Sequence, residues 1–389
     1  MFESRAFSPL QTRQAVVRPP SETKRAYRYR FYPTPQQAGQ LARTFGCGRF
    51  IDTWGLATRQ HASFHQSRSR YSHDLAAMLP ALTEDYPFLG EVCSVPLQQA
   101  LRHLERALVH FLEGRADSPT FNKNRNDQSA TAAATAFTWD GHCLTRAKMQ
   151  APLALRWPRP LPAGTKPSSL TVSRESAGRS FVSILVREQI KPLALTPRMV
   201  GGDLGLTSCV VTSAGQEIAT PQPSRRVQKK VAQAQRRHAR QKNGSKNREQ
   251  ARRKVARIHA RRADRRRDSQ HQHSHRITRE NPVICVERLV VKTRLEHPHL
   301  AKSISDVGWA EFVRQRGDKA TWDGRTLIKI DQWFPSSKTC HACQDVLSQL
   351  DRCVRAWVCP HCGALHQRDH TAAKKVLSEG LSALEGLRR

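Results

Sequence analysis

Residues 340–343 read Cys-His-Ala-Cys and residues 359–362 read Cys-Pro-His-Cys, with fifteen residues between the two pairs. Two Cys-x-x-Cys pairs at this separation are typical of structural zinc sites, in which four thiolates surround one Zn²⁺ tetrahedrally. A disulfide interpretation requires an oxidising compartment, and residues 1–23 lack the apolar core of a signal peptide. We therefore predict a zinc ribbon around a structural Zn²⁺, with four protein ligands and no open position: Cys340, Cys343, Cys359 and Cys362.

The protein is strongly basic. Its 389 residues include 65 Lys and Arg against 32 Asp and Glu, which gives a formal net charge of +33. Such proteins bind polyanions, most often nucleic acid. No apolar run reaches the roughly 18 residues that a membrane span needs. We therefore expect a cytoplasmic protein with a nucleic-acid partner and no membrane partner.

About half of the charge excess lies in residues 225–280, which contain 21 Lys and Arg against 4 Asp and Glu. Gly244 and Ser245 divide this segment into two predicted helices, each with a narrow apolar stripe and a wide cationic face. One interpretation is a solvated charged hairpin. We favour a phosphate-binding surface, because like charges at this density repel each other unless an anion neutralises them. The predicted nucleic-acid contacts are Arg236, Arg237, Arg240, Lys246, Arg248, Arg252, Arg253, Lys254 and Arg257.

The first regular elements are predicted near the amino end. Residues 26–32 alternate aromatic residues with arginines, the period of a strand with one apolar and one cationic face. Thr34, Pro35 and Gln37 then predict a helix start, with an N-cap, a proline in the first turn and a capping-box glutamine.

A helical segment and a β-hairpin follow. The apolar stripe of Ser94–Leu112 predicts an amphipathic helix with Ser94 as its N-cap. Residues 170–172 and 181–186 predict a hairpin around Gly178. If this hairpin pairs with the strand at 26–32, the helical segment is an insertion in a small β-barrel.

Three carboxylates stand at the edges of predicted elements. Asp203 follows an apolar strand, Glu287 ends the apolar run 282–287, and Asp369 comes directly before the last predicted helix. Singly, such acids are usually caps or salt-bridge partners. If the two strands are neighbours and the helix packs across them, the acids converge, and clustered carboxylates are stabilised by cations. We expect them to be catalytic residues that bind a pair of Mg²⁺ ions for phosphodiester hydrolysis.

The ordered motifs resemble the TnpB family, insertion-sequence OrfB-type proteins related to type V CRISPR effectors. The resemblance covers residues 24–380 and is carried by residues 29–34, 44–50, 202–205, 244–248, 283–287, 334–343, 359–362 and 368–374. It implies an RNA-guided DNA endonuclease that binds a guide RNA and cuts target double-stranded DNA. Asp203, Glu287 and Asp369 fall on the catalytic acids of the family, and the four cysteines fall on its zinc ligands.

The resemblance also implies an α/β multidomain fold: an RNase H-like (RuvC) nuclease domain with an inserted zinc ribbon, and an N-terminal β-barrel wedge domain with an inserted helical recognition domain. The expected segments are a disordered leader (1–23), the wedge domain (24–50 and 127–195), the helical recognition domain (51–126), the nuclease domain (196–335) with its basic hairpin (225–280), the zinc ribbon (336–365) and a C-terminal nuclease helix (366–389). Another helix is expected over Ser303–Trp322.

The chain departs from the family pattern at Arg288, Gln367 and Thr371, where the family has an acidic residue, an aspartate and an asparagine. Three hypotheses follow. The intact acids favour a DNA endonuclease, whereas the departures favour a nuclease-silent RNA-guided repressor that occupies DNA. The third is a transposase, or an accessory protein of transposition.

Overall fold

The computed structural model describes most of the chain, namely residues 15–17, 22–66, 71–121, 127–194, 196–205, 208–219, 225–288, 304, 307–351 and 353–386. No helix in these ranges is both long and apolar enough to cross a membrane.

The α-helices of the described ranges are α1 (Pro35–Gln66), α2 (Ser72–Ala77), α3 (Leu79–Asp85), α4 (Ser94–Leu112), α5 (Arg225–Ala239), α6 (Lys246–Glu280), α7 (Trp309–Trp322) and α8 (Arg368–Gly386). The strands are β1 (Ala15–Val17), β2 (Glu22–Phe31), β3 (Gln128–Ala133), β4 (Phe137–Trp139), β5 (Leu144–Arg146), β6 (Pro167–Arg174), β7 (Ser180–Gln189), β8 (Met199–Asp203), β9 (Ser208–Thr212), β10 (Glu217–Ala219), β11 (Val283–Glu287), β12 (Thr326–Ile330), β13 (Ala356–Val358) and β14 (Leu365–Gln367).

The chain divides into two compact units, one of residues 24–188 and 237–257 and the other of 1–23, 189–236 and 258–389. The first unit contains a four-stranded sheet of order β2-β7-β6-β3. The predicted hairpin is confirmed, since β6 and β7 pair antiparallel, and β2 lies beside β7 as expected. The alternation in β2 is also confirmed: Tyr27, Tyr29 and Phe31 are buried in the core of this sheet.

Two helix starts were predicted in this unit. The capping box of α1 is confirmed, because the Gln37 N–H donates to Thr34 Oγ1 and the Thr34 N–H donates to Gln37 Oε1, each at 3.2 Å. α4 has the predicted bounds, but the prediction that Ser94 is its N-cap is wrong. Ser94 is already helical, and the extended residue before it is Cys93.

The basic segment forms two helices, as predicted, separated around Gly244 at φ +79°. A left-handed backbone conformation strongly favours glycine at this position. The Ser245 hydroxyl then accepts from the Arg248 N–H at 3.1 Å and caps the start of α6. The bend therefore follows from two adjacent residues.

The second unit contains a six-stranded sheet of order β1-β12-β11-β8-β9-β10. β8, β11 and β12 run parallel, whereas β9, β10 and β1 are antiparallel to their neighbours. Part of the leader is therefore ordered, contrary to the prediction for 1–23: Ala15–Val17 pairs with β12 and continues the sheet beyond it. An unpaired strand edge readily accepts such a short apolar segment. Residues 1–14 and 18–21 lie outside the described residues.

The two faces of this sheet alternate with period two. Ile284 and Val286 face a core that includes Phe312 of α7, whereas Cys285 packs with Val376 of α8. The structure is helical in part of the range expected over Ser303–Trp322: residues 304 and 307 are helical, and the continuous helix α7 begins at Trp309. Gly308 has φ +69°, and a left-handed residue interrupts a right-handed helix. Residue 303 lies outside the described residues.

Helix α8 approaches the sheet very closely at two glycines. A Cβ atom at Gly201 would lie 2.2 Å from the Ala373 carbonyl oxygen and 2.7 Å from the Leu377 backbone nitrogen. A Cβ at Gly380 of the helix would lie 2.4 Å from Cys285 Sγ. Glycine at these two positions therefore sets the depth at which the helix lies on β8 and β11.

We expect Gly201→Ala to lower the free energy of unfolding by about 3 kcal/mol or more, the upper end of overpacking costs, because backbone atoms cannot move aside as a side chain can. Gly202→Ala in the same strand is the control. Its Cβ would meet only side chains, at 3.3 Å from Val210 Cγ1 and 3.4 Å from Arg316 Nη1. Urea unfolding measures both, and equal losses would contradict the close approach of α8.

Candidate active site and metal centre

Asp203 and Glu287 end neighbouring parallel strands. Gly202 pairs with Val286, so the next residues along β8 and β11 lie opposite each other. Gly201 and Cys285, two residues earlier, both face α8, and residues two apart in a strand share a face. The two carboxylates therefore emerge side by side on the α8 face of the sheet.

Asp369 lies in the first turn of α8, which packs on this face. The acids interact electrostatically: burial, together with the negative charges of Glu287 and Asp369, raises the pKa of Asp203 to about 7 from its ordinary 3.8. The structure thus brings the three predicted carboxylates together, although they are 166 residues apart at the extremes.

Two further residues contact this acidic cluster, and the sequence did not single them out. The Ser336 hydroxyl donates to Glu287 Oε1 at 2.5 Å. Arg355 Nη1 lies 3.3 Å from both carboxylate oxygens of Asp369. Ser336 is in a quoted motif, but no local pattern marks Arg355, which lies between the two cysteine pairs.

The three departures from the family pattern surround the same cluster. Arg288 is exposed directly after Glu287, and its backbone N–H donates to the Ile330 carbonyl at 3.1 Å. Gln367 is exposed at the end of β14, whereas Thr371 is buried with its Oγ1 3.4 Å from His366 Nδ1. Thr371 therefore packs between α8 and β14.

The acids have the donor chemistry of a Mg²⁺ site. Their oxygens are hard ligands, and the negative charges of Glu287 and Asp369 add to burial in raising the pKa of Asp203, a clustering of charge that a cation would stabilise. They are spread more widely than the cysteines, however. Within the described ranges, only the four cysteines form a group of three or more candidate ligands whose atoms all lie within 4.8 Å of one another.

The cysteine site fits zinc closely. Cys340 Sγ lies 3.6 Å from Cys362 Sγ, and Cys343 Sγ lies 3.6 Å from Cys359 Sγ. Tetrahedral Zn–S bonds of about 2.3 Å place sulfur atoms about 3.8 Å apart. Although burial raises the pKa of Cys340, backbone N–H groups of Cys343 and Ala342 pointing at its Sγ lower it overall to about 6, which favours the thiolate that binds metal.

The nine predicted nucleic-acid contacts lie on α5, α6 and the bend between them, and seven are exposed. The remaining two are half-buried and have partners within the chain. Arg248 Nη1 donates to the Gln241 carbonyl at 2.8 Å, and Arg252 donates to Glu249 at 2.7 and 2.8 Å. The pKa of Glu249 falls to about 2 through hydrogen bonds from Arg252 and Arg253.

The β2–β7 sheet carries a second cationic surface, anticipated only as the cationic face of one strand. The guanidinium carbons of Arg28, Arg30 and Arg179 lie 3.8, 5.2 and 5.5 Å from the centre of the Phe181 ring. Arg30 also lies 5.2 Å from the ring of Tyr32, which is 56% exposed. Arginines interleaved with aromatic rings are typical of nucleic-acid-binding surfaces.

Comparison with known proteins supports one family. A "Putative RNA-guided DNA endonuclease" of Streptomyces pristinaespiralis is 46% identical over 365 residues, covering 93% of this chain and 90% of that protein. The family model described as "Probable transposase" (OrfB_IS605) matches residues 182–296. The chain belongs to the TnpB family. The prediction of family is therefore confirmed.

Other relatives extend the TnpB assignment. The "Putative RNA-guided DNA endonuclease InsQ" of Escherichia coli (strain K12) is 26% identical, and the match covers 92% of this chain and 93% of that protein. A model described as "Cas12f1-like, TNB domain" matches residues 309–376. A third, described as "Helix-turn-helix domain", matches residues 23–65, where the structure has strand β2 and the single helix α1.

One solved structure has the same mixed α/β fold. The chain in "Cryo-EM structure of the Cas12f1-sgRNA-target DNA complex" superposes with a TM-score of 0.54 at 14% identity, covering 88% of this chain and 82% of that chain. At this identity the likeness concerns the fold alone. The α/β fold is thus confirmed for this TnpB-family chain, and the finer domain division stays a prediction.

The raised pKa of Asp203 predicts how stability depends on pH without added divalent metal. The pKa of Asp203 is higher in the folded protein than in the unfolded chain, so between about pH 4 and 7 the folded protein keeps a proton on Asp203 that the unfolded chain releases. The free energy of unfolding therefore falls as the pH rises through this range. At pH 8 we expect Asp203→Asn to have a higher free energy of unfolding than the unmutated protein. The upper limit of the difference is about 4 kcal/mol, and solvent screening lowers it. At pH 5 the difference should be smaller. Urea unfolding at both pH values measures it, with the exposed Glu385→Gln of α8 as control. A constant difference would contradict the raised pKa of Asp203 that burial and the neighbouring acids produce.

Proposed function

We propose that this chain is an RNA-guided DNA endonuclease encoded by an insertion sequence, with Asp203, Glu287 and Asp369 as its catalytic acids. One observation supports this proposal: the acids lie at the ends of two neighbouring strands and in the first turn of α8, and burial together with the negative charges of Glu287 and Asp369 raises the pKa of Asp203 to about 7. The names of the relatives point to the same activity. In this proposal a guide RNA reads the sequence of the target DNA by base pairing.

Each described residue of the cluster has a role in the proposed hydrolysis. The three carboxylates would hold Mg²⁺, which when bound polarises the phosphodiester and activates water. Ser336 orients Glu287 through its hydroxyl hydrogen bond. Arg355 holds the carboxylate of Asp369, and its exposed guanidinium still has N–H donors for a phosphate oxygen.

The proposed division of the chain follows the domains expected from the family. Residues 24–50 and 127–195 would form the wedge domain, 51–126 the recognition domain, 196–335 and 366–389 an RNase H-like nuclease domain, and 336–365 a ribbon around structural Zn²⁺. The cationic surfaces on α5, α6 and the β2–β7 sheet would hold RNA and DNA backbones. The proposed setting is the prokaryotic cytoplasm.

A second candidate is an RNA-guided DNA-binding repressor that does not cut. Two observations favour it: Arg355 neutralises part of the charge of Asp369, and Arg288 adds another cation directly after Glu287. Both cations oppose metal binding by the carboxylates. Cleavage assays with the RNA that co-purifies with the protein distinguish the two candidates.

For catalysis, we expect Asp203→Ala, Glu287→Ala and Asp369→Ala each to reduce Mg²⁺-dependent cleavage of a guide-matched DNA by about 100-fold or more. Binding of RNA and DNA should change little, because the acids contribute no attraction to phosphate. Arg288→Asp should cut as well as the unmutated protein, or faster. Glu385→Ala, which removes an exposed acid at the far end of α8, is the control.

Two results would contradict the proposal that this chain is an endonuclease. If Glu287→Ala still cleaves DNA, the acidic cluster is not the catalytic site. Absence of cleavage by the unmutated protein, with RNA-dependent DNA binding retained, would establish the repressor instead.

For the basic helices, we expect the triple change of Arg240, Lys254 and Arg257 to Gln to weaken RNA and DNA binding for all sequences alike. The slope of log K against log salt should flatten by about 0.7 to 0.9 for each phosphate that the variant no longer neutralises. A control variant replaces three exposed cations elsewhere in the chain, Arg102, Lys166 and Lys191, and removes the same net charge. Equal slopes for the two variants would mean that these helices contribute only general charge.

A further inference from the structure

A buried histidine lies against the cysteine cluster. His366 is 1% exposed in the middle of β14, with its Nε2 3.2 Å from Cys340 Sγ. Its Nδ1 lies 2.9 Å from His341 Nδ1, and its ring packs on the indole of Trp357 with centroids 4.3 Å apart. Both ring nitrogens therefore have a specific neighbour, and the ring itself packs on an aromatic side chain.

For a neutral His366 ring, one arrangement of protons satisfies these contacts when Cys340 is a metal-bound thiolate. The thiolate can only accept, so His366 Nε2 must carry its proton and donate to sulfur. The neutral ring then has an unprotonated Nδ1, which accepts from His341 Nδ1–H. Hydrogen bonds to ligand atoms fix ligand orientation and tune metal affinity in many metal sites.

The hairpin that carries His366 also carries two residues of the acidic cluster. Trp357 in β13 pairs with His366 in β14, and β14 leads directly into α8, where Asp369 follows three residues later. On the other strand, Arg355 comes directly before β13 and accepts a backbone hydrogen bond from the Arg368 N–H at 2.8 Å. The side chain of Arg355 then contacts Asp369.

We propose that His366 is a positioning residue that couples the ribbon to the nuclease site. By donating to the Cys340 thiolate, it fixes the β13–β14 hairpin against the metal-bound cysteines, and the hairpin in turn fixes Arg355 and Asp369. Metal occupancy of the ribbon thereby controls the geometry of the acidic cluster. The catalytic part of this inference rests on the proposed endonuclease function.

The first experiment measures the metal site alone, in the full chain without RNA or DNA. His366→Leu retains a bulky side chain and removes the donor, whereas His366→Gln can place an amide N–H near the position of Nε2. We expect His366→Leu to weaken Zn²⁺ affinity by about 10- to 100-fold in competition with a chromophoric chelator. It should also shift the sulfur-to-metal charge-transfer band of the Co²⁺-substituted protein.

His366→Gln should remain close to the unmutated protein in both measurements. His361→Leu, an exposed histidine between Cys359 and Cys362, is the matched control and should change neither. Unchanged affinity and spectrum in His366→Leu would overturn the proposal. If that variant does not fold, His366→Asn replaces it, because a shorter amide cannot reach the sulfur; equal behaviour of the Gln and Asn variants would then overturn the proposal.

The second experiment measures cleavage with Zn²⁺ held at saturation. We expect His366→Leu to lower kcat by about 10-fold or more with KM and RNA affinity unchanged, and His366→Gln to restore kcat. A variant with an altered Co²⁺ spectrum but normal kcat would overturn the coupling. If the unmutated protein does not cut, the endonuclease proposal fails, whereas the metal measurements still decide whether His366 supports the cysteine site.

Discussion

The close approach of α8 to β8 and β11 is the constraint on which the rest of the unit with the six-stranded sheet depends. Gly201 and Gly380 remove the side chains that would keep helix and sheet apart, so backbone atoms of α8 contact the strand directly. This depth allows the first turn of the helix to reach the ends of two parallel strands. A helix held farther from the sheet by ordinary side chains would separate Asp369 from Asp203 and Glu287.

The acidic cluster formed in this way opposes folding, and the fold contains partial compensation. Burial and repulsion raise the pKa of Asp203, while Arg355 pairs with Asp369 and Ser336 donates to Glu287. A cation held by these acids, as proposed, would bind more strongly as the pH rises and Asp203 loses its proton. Arg355, which stabilises the protein without metal, would therefore compete with such a cation for the carboxylate of Asp369.

Local sequence signals predicted the elements whose cause is local. The capping box at Thr34 and Gln37, the bend at Gly244 and the alternation in β2 need only neighbouring residues, and all three predictions were confirmed. The ends of α4 and α7 were less predictable, because the N-cap at Cys93 and the left-handed Gly308 depend on how the chain enters each helix. Arg355 and Ser336 reach the acids only through tertiary packing, so no spacing rule could identify them. The strand at Ala15–Val17 was missed for a similar reason, since its partner β12 lies over three hundred residues away.

The wide separation of Asp203, Glu287 and Asp369 along the chain also matters during folding. Contacts between distant segments form slowly, because a long loop must close before they become favourable. The three carboxylates come together only when the parallel strands have paired and α8 has settled on Gly201. The assembled cluster therefore exists only in the folded unit, and a partly folded chain, or one truncated before α8, lacks it.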